Sequence, residues 1–207
     1  MGWWTERVVP HLVDRSLDAE EIRRVRRQAC AGLTGRVIEV GFGSGLNVAH
    51  YPPAVSEVAA VEPSDVAWRL AGRRVSSSGP PVSRAGVDGQ RLAAHDGSYD
   101  AALSTFTLCV VPDPASALRE LRRVLAPAGR LHFAEHGRSP DEPVARWQDR
   151  LTPAQRRVFG GCHLDRPIAD LVGADFEILD LDERYLPGPR ASRPFGFLSI
   201  GTAAART

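Results

Sequence analysis

Apolar residues recur at two different periods along this chain, and the change from one to the other divides it. From about Thr5 to Ala31 the period is helical, with a break near Ser16-Leu17-Asp18. Asp18 followed by Glu21 resembles a capping box for a helix that carries Ile22, Val25 and Ala29 on one face. The period then shortens. Arg36-Val37-Ile38-Glu39-Val40 predicts a buried strand, Gly41 to Gly45 a turn, and Leu46 to His50 the start of a helix. Glu57 to Val61 is a second strand, after which Ser64 can cap a helix running to about Val75. Beyond the polar stretch Ser76 to Pro81 come a short strand to about Gly86 and another from Tyr99 to Phe106. A helix from Pro114 to Leu125 is closed by Pro127 and Gly129, and Arg130 to Glu135 forms a fifth strand. Such alternation with short loops predicts a parallel sheet with helices on both faces.

After Glu135 the pattern changes again. A polar helical segment spans Pro143 to about Phe159, and a shorter helix runs from Asp165 to Val172. Phe176 to Arg184 and Phe195 to Ala203 alternate as strands and predict an antiparallel edge pair joined by Leu186-Pro187-Gly188-Pro189. At 207 residues, with no internal repeat and no linker, the chain is read as one domain: a helical N-terminal cover over 1–34, a core over 35–136, and 137–207 on the substrate side.

Composition narrows the function classes. All 26 basic residues are Arg, set against 25 acidic ones, so the formal charge of +1 creates no field that would recruit nucleic acid. The pairs Arg23-Arg24, Arg26-Arg27, Arg122-Arg123 and Arg156-Arg157 fall inside helical patterns and read as solvated faces. Cys30, Cys109 and Cys162 are odd in number and widely spaced, which argues against a disulfide framework or a zinc site and suits a reducing cytoplasm. No signal peptide is read at Met1 to Arg7, and no apolar window reaches the roughly 18 residues of a membrane span.

The chemistry concentrates at the carboxyl ends of the predicted strands. Gly41, Gly43 and Gly45 alternate between a strand and the segment after it, so a ligand can lie against bare main chain. Leu46 stands where the dinucleotide motif G-x-G-x-x-G wants its last glycine, which disfavours nicotinamide cofactors. Glu62, just past the second strand, is placed to accept from a ribose diol, and Asp88, past the third, from an adenine amine. His136 at the end of the fifth strand is the candidate catalytic base, and His163 is a second candidate. Cys109 reads as core. No His-x-x-x-His spacing supports a metal on Glu135, His136 and His163, so none is expected.

These motifs, in this order, resemble those of class I S-adenosylmethionine (SAM)-dependent methyltransferases. The likeness runs from Val37 to Gly45, through Val61-Glu62-Pro63-Ser64 and Asp96-Gly97-Ser98-Tyr99-Asp100, to Leu118–Arg130, where Ala128 replaces a usual glycine. It implies a Rossmann-like, doubly wound, mostly parallel α/β sheet of seven strands with an antiparallel C-terminal edge pair. It further implies SAM as cofactor and S-adenosylhomocysteine as product. By this resemblance Glu39 holds the methionine amino group, Glu62 the ribose and Asp88 the adenine, while Thr105 to Leu108 line the methionine end. A narrower resemblance, to alkyl-thiol methyltransferases, rests on Tyr51-Pro52-Pro53, Thr107–Val111, Ala134-Glu135-His136 and Gly160–Leu164. Against that family's pattern, Gly160 and His163 replace an Asp and an Asn, and the N-terminus is not hydrophobic. The acceptor is therefore expected to be a small molecule, a thiol or a hydroxyl. The alternatives are a phospholipid or amine N-methyltransferase, or a SAM-binding regulator without turnover. Trp3, Trp4 and the first helix, with Trp147, are expected to cover the cofactor and acceptor.

Overall fold

Alternating branched and small apolar residues that are buried on both sides make the central strands, and a computed structural model describes their assembly over residues 7–77 and 79–206. Strands β1 (Gly35–Val40), β2 (Val55–Val61), β3 (Val82–Gly86), β4 (Tyr99–Thr105), β5 (Leu125–His136), β6 (Phe176–Tyr185) and β7 (Phe197–Ala205) form one sheet in the order β3-β2-β1-β4-β5-β7-β6. Every pairing is parallel except those of β7, which runs antiparallel to both β5 and β6. The expected doubly wound sheet with an antiparallel edge pair is what the chain forms.

Period-two alternation divides the interior into two layers. Ile38, Val40, Ala59 and Val61 face one way and pack with Leu118, Leu121, Val172 and Phe176. Val37, Val58, Ala60 and Leu103 face the other, against Val25, Ala29 and Ala71. The helices are α1 (Val9–Ser16), α2 (Glu20–Cys30), α3 (Asp65–Ser77), α4 (Pro114–Val124), α5 (Glu142–Val158), α6 (Ile168–Asp175) and α7 (Arg193–Gly196), of which α2, α3, α4 and α6 supply these partners, with Phe176 from β6. The start of α4 shows why a helix begins there. Asp113 accepts a hydrogen bond from the Ser116 N–H at 3.0 Å, and Pro114 fills a first-turn position whose N–H would have no partner.

Several local expectations give way. Leu46 to His50 does not open an α-helix; only a 3-10 turn, Val48–His50, forms, because Asn47 and Tyr51 are drawn inward by Glu39. The capping box at Asp18 and Glu21 is absent: α2 is preceded by Ala19, and Asp18 instead accepts from Arg23 Nε at 2.9 Å. Helix α6 starts at Ile168 rather than Asp165, since Pro167 disfavours helical backbone at Arg166. The β6–β7 connection is longer than a tight turn and holds the 3-10 turn Arg190–Ser192 and α7. Residues Trp3 and Trp4 lie outside the described residues.

Strand order reverses between β1 and β4, and open α/β sheets form their ligand crevice at that switch point. Val40 lies in register with both Val61 and Ser104, so the segments after β1, β2 and β4 emerge together. No helix among the described residues is long and apolar enough to cross a membrane.

Candidate active site

Gly41, Gly43 and Gly45 all have positive φ, at 74°, 59° and 76°, so the turn after β1 needs residues that tolerate the left-handed region. Gly41 also has a steric reason: a Cβ there would sit 1.9 Å from Thr107 Oγ1, so the loop is seated directly on the segment after β4. Around Gly43 the space is open: among the described residues beyond its chain neighbours, the nearest atom to such a Cβ is the Gly41 carbonyl oxygen at 3.9 Å. That leaves bare backbone for a ligand. Glu62 holds this conformation in place. One carboxylate oxygen accepts from Gly43 N–H at 2.7 Å and the other from Ser64 N–H at 2.7 Å. At 6% exposure it is a buried carboxylate, not the solvent-facing one its strand-end position suggests, and burial raises its pKa against the two backbone bonds.

Glu39 lies deeper, fully enclosed at the end of β1. Its carboxylate accepts from Asn47 Nδ2 at 2.9 Å and from the Tyr51 hydroxyl. Burial pushes its pKa up to about 7, opposed by these donors and by the Arg26 guanidinium. Arg26 completes the cluster, donating to Asn47 Oδ1 at 2.9 Å and Thr105 Oγ1 at 3.0 Å, with its guanidinium 5.2 Å from the centre of the Phe106 ring. Phe106 itself has φ 54°, an uncommon conformation for a bulky residue, and it turns the chain away at the end of β4. Reading Arg26 as part of a solvated face was wrong. It lies 5% exposed among Ile22, Val25, Ala29 and Cys30, whereas Arg23, Arg24 and Arg27 are exposed. Its Nε has no partner among the described residues.

The other cofactor candidates separate. Thr105 is buried in the Arg26 cluster. Leu108 is fully buried in the hydrophobic core, so its side chain does not line an open cleft; its carbonyl and that of Val111 accept from Arg166 instead. Asp88 is exposed beyond β3 and accepts from the Gln90 backbone N–H at 2.9 Å and side-chain amide at 3.1 Å. Helix α1 reaches the glycine loop from outside. Ser44 Oγ donates to Asp14 at 2.5 Å, and Arg74 binds both Asp14 Oδ1 at 2.8 Å and the Ser44 carbonyl at 2.9 Å. Trp147 is 54% exposed on α5, beside Arg150, outside these described contacts.

At the end of β5, Glu135 serves as a clamp. Both its oxygens accept from Thr107 N–H, at 2.8 and 3.0 Å, and one accepts from Ser104 Oγ at 2.7 Å, while burial pushes its pKa up to about 7. The next residue, His136, is 6% exposed, with Nδ1 3.8 Å from Cys162 Sγ and Nε2 without a partner among the described residues. Cys109, 2% exposed, completes this group. The Cys109 thiol beside it lowers the Cys162 pKa, and Cys109 is raised in turn. All three cysteines are free thiols. His163 stands apart, 3.5 Å from Asp165, its pKa lowered by burial. Sequence reasoning missed the roles of Arg26, Asn47 and Cys162. A helical wheel held the signal for Arg26, since its position falls on the stripe of Ile22, Val25 and Ala29.

Comparison with known proteins agrees with this geometry. A methyltransferase-domain family matches residues 38–133. Human thiol S-methyltransferase TMT1B is 33% identical over 181 residues, 83% of this chain and 72% of that protein. Human thiol S-methyltransferase TMT1A is 34% identical over 147 residues, covering 67% of this chain and 59% of that protein. Among solved structures, a SAM-dependent methyltransferase from Thermotoga maritima superposes with a TM-score of 0.65 at 22% identity, covering 98% of this chain and all of that one, a likeness of fold. With the glycine loop, the strand order and these relatives agreeing, the chain belongs to the SAM-dependent methyltransferase family and uses SAM as its methyl donor.

Proposed function

We propose that the protein methylates the sulfur of a small thiol, as a single domain in which 35–136 hold the cofactor, 1–34 cover it and 137–207 shape the acceptor side. The observation that carries this reading is the extent of the likeness to thiol S-methyltransferases. It spans 181 residues, whereas the general methyltransferase match ends at Phe133. Similarity therefore extends beyond the part that any SAM-dependent relative would share. The residues present fit the cofactor: the open face of Gly43 for its main body, Glu62 for the ribose hydroxyls, Asp88 for the adenine amine, and the Glu39 cluster for the methionine ammonium. SAM supplies an electrophilic methyl group on a sulfonium.

The chain's own task is then to place a nucleophile in line with that methyl and keep competing water away. Glu135 fixes the Thr107 turn against Gly41, and the Asp14–Ser44 bond ties α1 over the loop. A thiol must lose its proton before or as it attacks, and His136, buried at the carboxyl end of β5, is the group placed to bring that about. The test is S-adenosylhomocysteine release with an alkyl thiol, an alcohol or phenol, and a primary amine. The thiol should give the highest kcat/KM; a clear preference for the amine or hydroxyl would overturn the thiol assignment.

A further inference from the structure

We propose that Cys109, His136 and Cys162 form a site for a soft divalent cation of the zinc type, whose open fourth position receives the acceptor thiol. One ligand atom from each residue lies within 4.8 Å of the others, and His136 Nδ1 is 3.8 Å from Cys162 Sγ. A tetrahedral zinc with bonds of about 2.3 Å to sulfur and 2.0–2.1 Å to nitrogen places its ligands about 3.6–3.8 Å apart. The group thus needs to close by at most about 1 Å. Cys162 follows Gly160 and Gly161, both at positive φ, in a loop that can absorb such an adjustment. The ligands come from three separate segments, the turn after β4, the end of β5 and the loop after α5. That is why no spaced motif announces them.

A hydrophobic-core role accounts for the cysteines, which pack with Leu164, Val110 and Leu151. It does not account for the imidazole. His136 is buried, and among the described residues its Nε2 has no partner and its Nδ1 faces only sulfur. Buried polar nitrogens are nearly always satisfied, and here Nδ1 faces only a sulfur 3.8 Å away while Nε2 is bare among the described residues. Hydrogen bonding within the chain therefore does not explain the imidazole, whereas a cation held on Nδ1 with the two sulfurs does. Two thiolates would neutralise a divalent ion in this enclosed site. Sulfur and imidazole without carboxylate select zinc or a similar metal over magnesium or calcium. Three protein ligands leave one coordination position open, the arrangement of catalytic rather than structural zinc. The site also stands next to the transfer chemistry, since Thr107, two residues before Cys109, packs on Gly41 of the cofactor loop.

The acceptor role rests on the thiol reading above and makes His136 a ligand instead of a free base. The thiol gives its proton to solvent as its sulfur binds the metal. A sulfur lone pair then forms the new bond to the methyl carbon, and the carbon–sulfonium bond breaks with its electrons going to S-adenosylhomocysteine. The thioether product, a weaker donor than a thiolate, leaves. No redox change occurs.

The experiment is titration of reduced, metal-free protein with Zn²⁺ and with Co²⁺, followed by metal analysis and absorption spectroscopy. Expected are one equivalent per chain, a sulfur-to-cobalt charge-transfer band, and affinity at least about tenfold weaker in Cys162→Ser. S-adenosylhomocysteine binding reports whether that variant is folded; if it is not, the cobalt band of the parent protein decides. Absence of stoichiometric binding, or a cobalt spectrum without the sulfur band, overturns the site. Undiminished thiol methylation by zinc-free protein overturns its acceptor role. Stoichiometric zinc with no thiol methylated under any condition leaves the metal site standing and refutes the thiol reading itself.

Discussion

Replacing Glu62 with Ala tests the link between the glycine loop and the cofactor, because the structure gives this carboxylate two duties. It accepts from Gly43 and Ser64 N–H, both at 2.7 Å, and it is the group assigned to the ribose. Hydrogen bonds to a charged acceptor contribute about 1.5–3 kcal/mol each. Burial of the carboxylate, visible in its raised pKa, offsets part of this. A net loss of about 2–3 kcal/mol without ligand follows, or a Tm lower by about 4–12 °C for a domain of this size. Losing the ribose bonds should weaken S-adenosylhomocysteine by about tenfold to a hundredfold, that is about 1.4–2.7 kcal/mol. Glu62→Gln keeps one acceptor oxygen, so its Tm should lie between parent and Ala variant while its affinity stays close to that of the Ala variant. Thermal unfolding without ligand, with calorimetry at a temperature where every variant is folded, measures both. A Tm within about 1 °C of the parent, combined with an unchanged Kd, would show that Glu62 neither holds the loop nor reaches the ribose.

Other outcomes follow from the same geometry. Glu39, at about 7 in the folded chain against an ordinary 4.5, binds more protons folded than unfolded between those values. Its share of stability is complete below about pH 4.5, falls as pH rises to about 7 and is flat beyond; Glu39→Gln should reduce the slope of stability from denaturant unfolding curves in this window, leaving the share of the similarly raised Glu135. Asp14→Ala breaks the contacts with Ser44 and Arg74 and should speed amide hydrogen exchange in α1 while leaving the sheet protected. His136→Ala should lower kcat by about a hundredfold or more with SAM affinity unchanged, and full activity on the best acceptor would remove His136 from the mechanism. SAM and S-adenosylhomocysteine should both raise the Tm while NAD does not, as Leu46 in place of the third dinucleotide glycine implies.

Signals confined to one segment were legible in the amino-acid sequence. Val37 to Val40 and Val58 to Val61 read as buried strands because each alternates between two apolar layers, and the order of motifs after them placed Gly41–Gly45, Glu62 and Asp88 at strand ends. What depended on tertiary partners was not legible. Asn47 and Tyr51 turn toward Glu39, and that inward pull limits the expected helix to the 3-10 turn Val48–His50. Arg26 falls on the buried stripe of Ile22, Val25 and Ala29, but the partners that make its burial tenable, Asn47 and Thr105, lie 21 and 79 residues away, beyond what the helix alone can show. Leu108 belongs to a segment assigned to the cofactor, yet the turn after Phe106 sends its side chain into the core. Cys109, His136 and Cys162 converge only when the β4, β5 and α5 ends are brought together.

The account stands on methyl transfer to sulfur, and incubation with SAM carrying a labelled methyl group and a small alkyl thiol measures it directly. Mass spectrometry should find the label in an S-methyl thioether, with one S-adenosylhomocysteine formed for each product molecule. Cofactor that binds but is never consumed, or label recovered on nitrogen or oxygen of a mixed acceptor in preference to its sulfur, would contradict it.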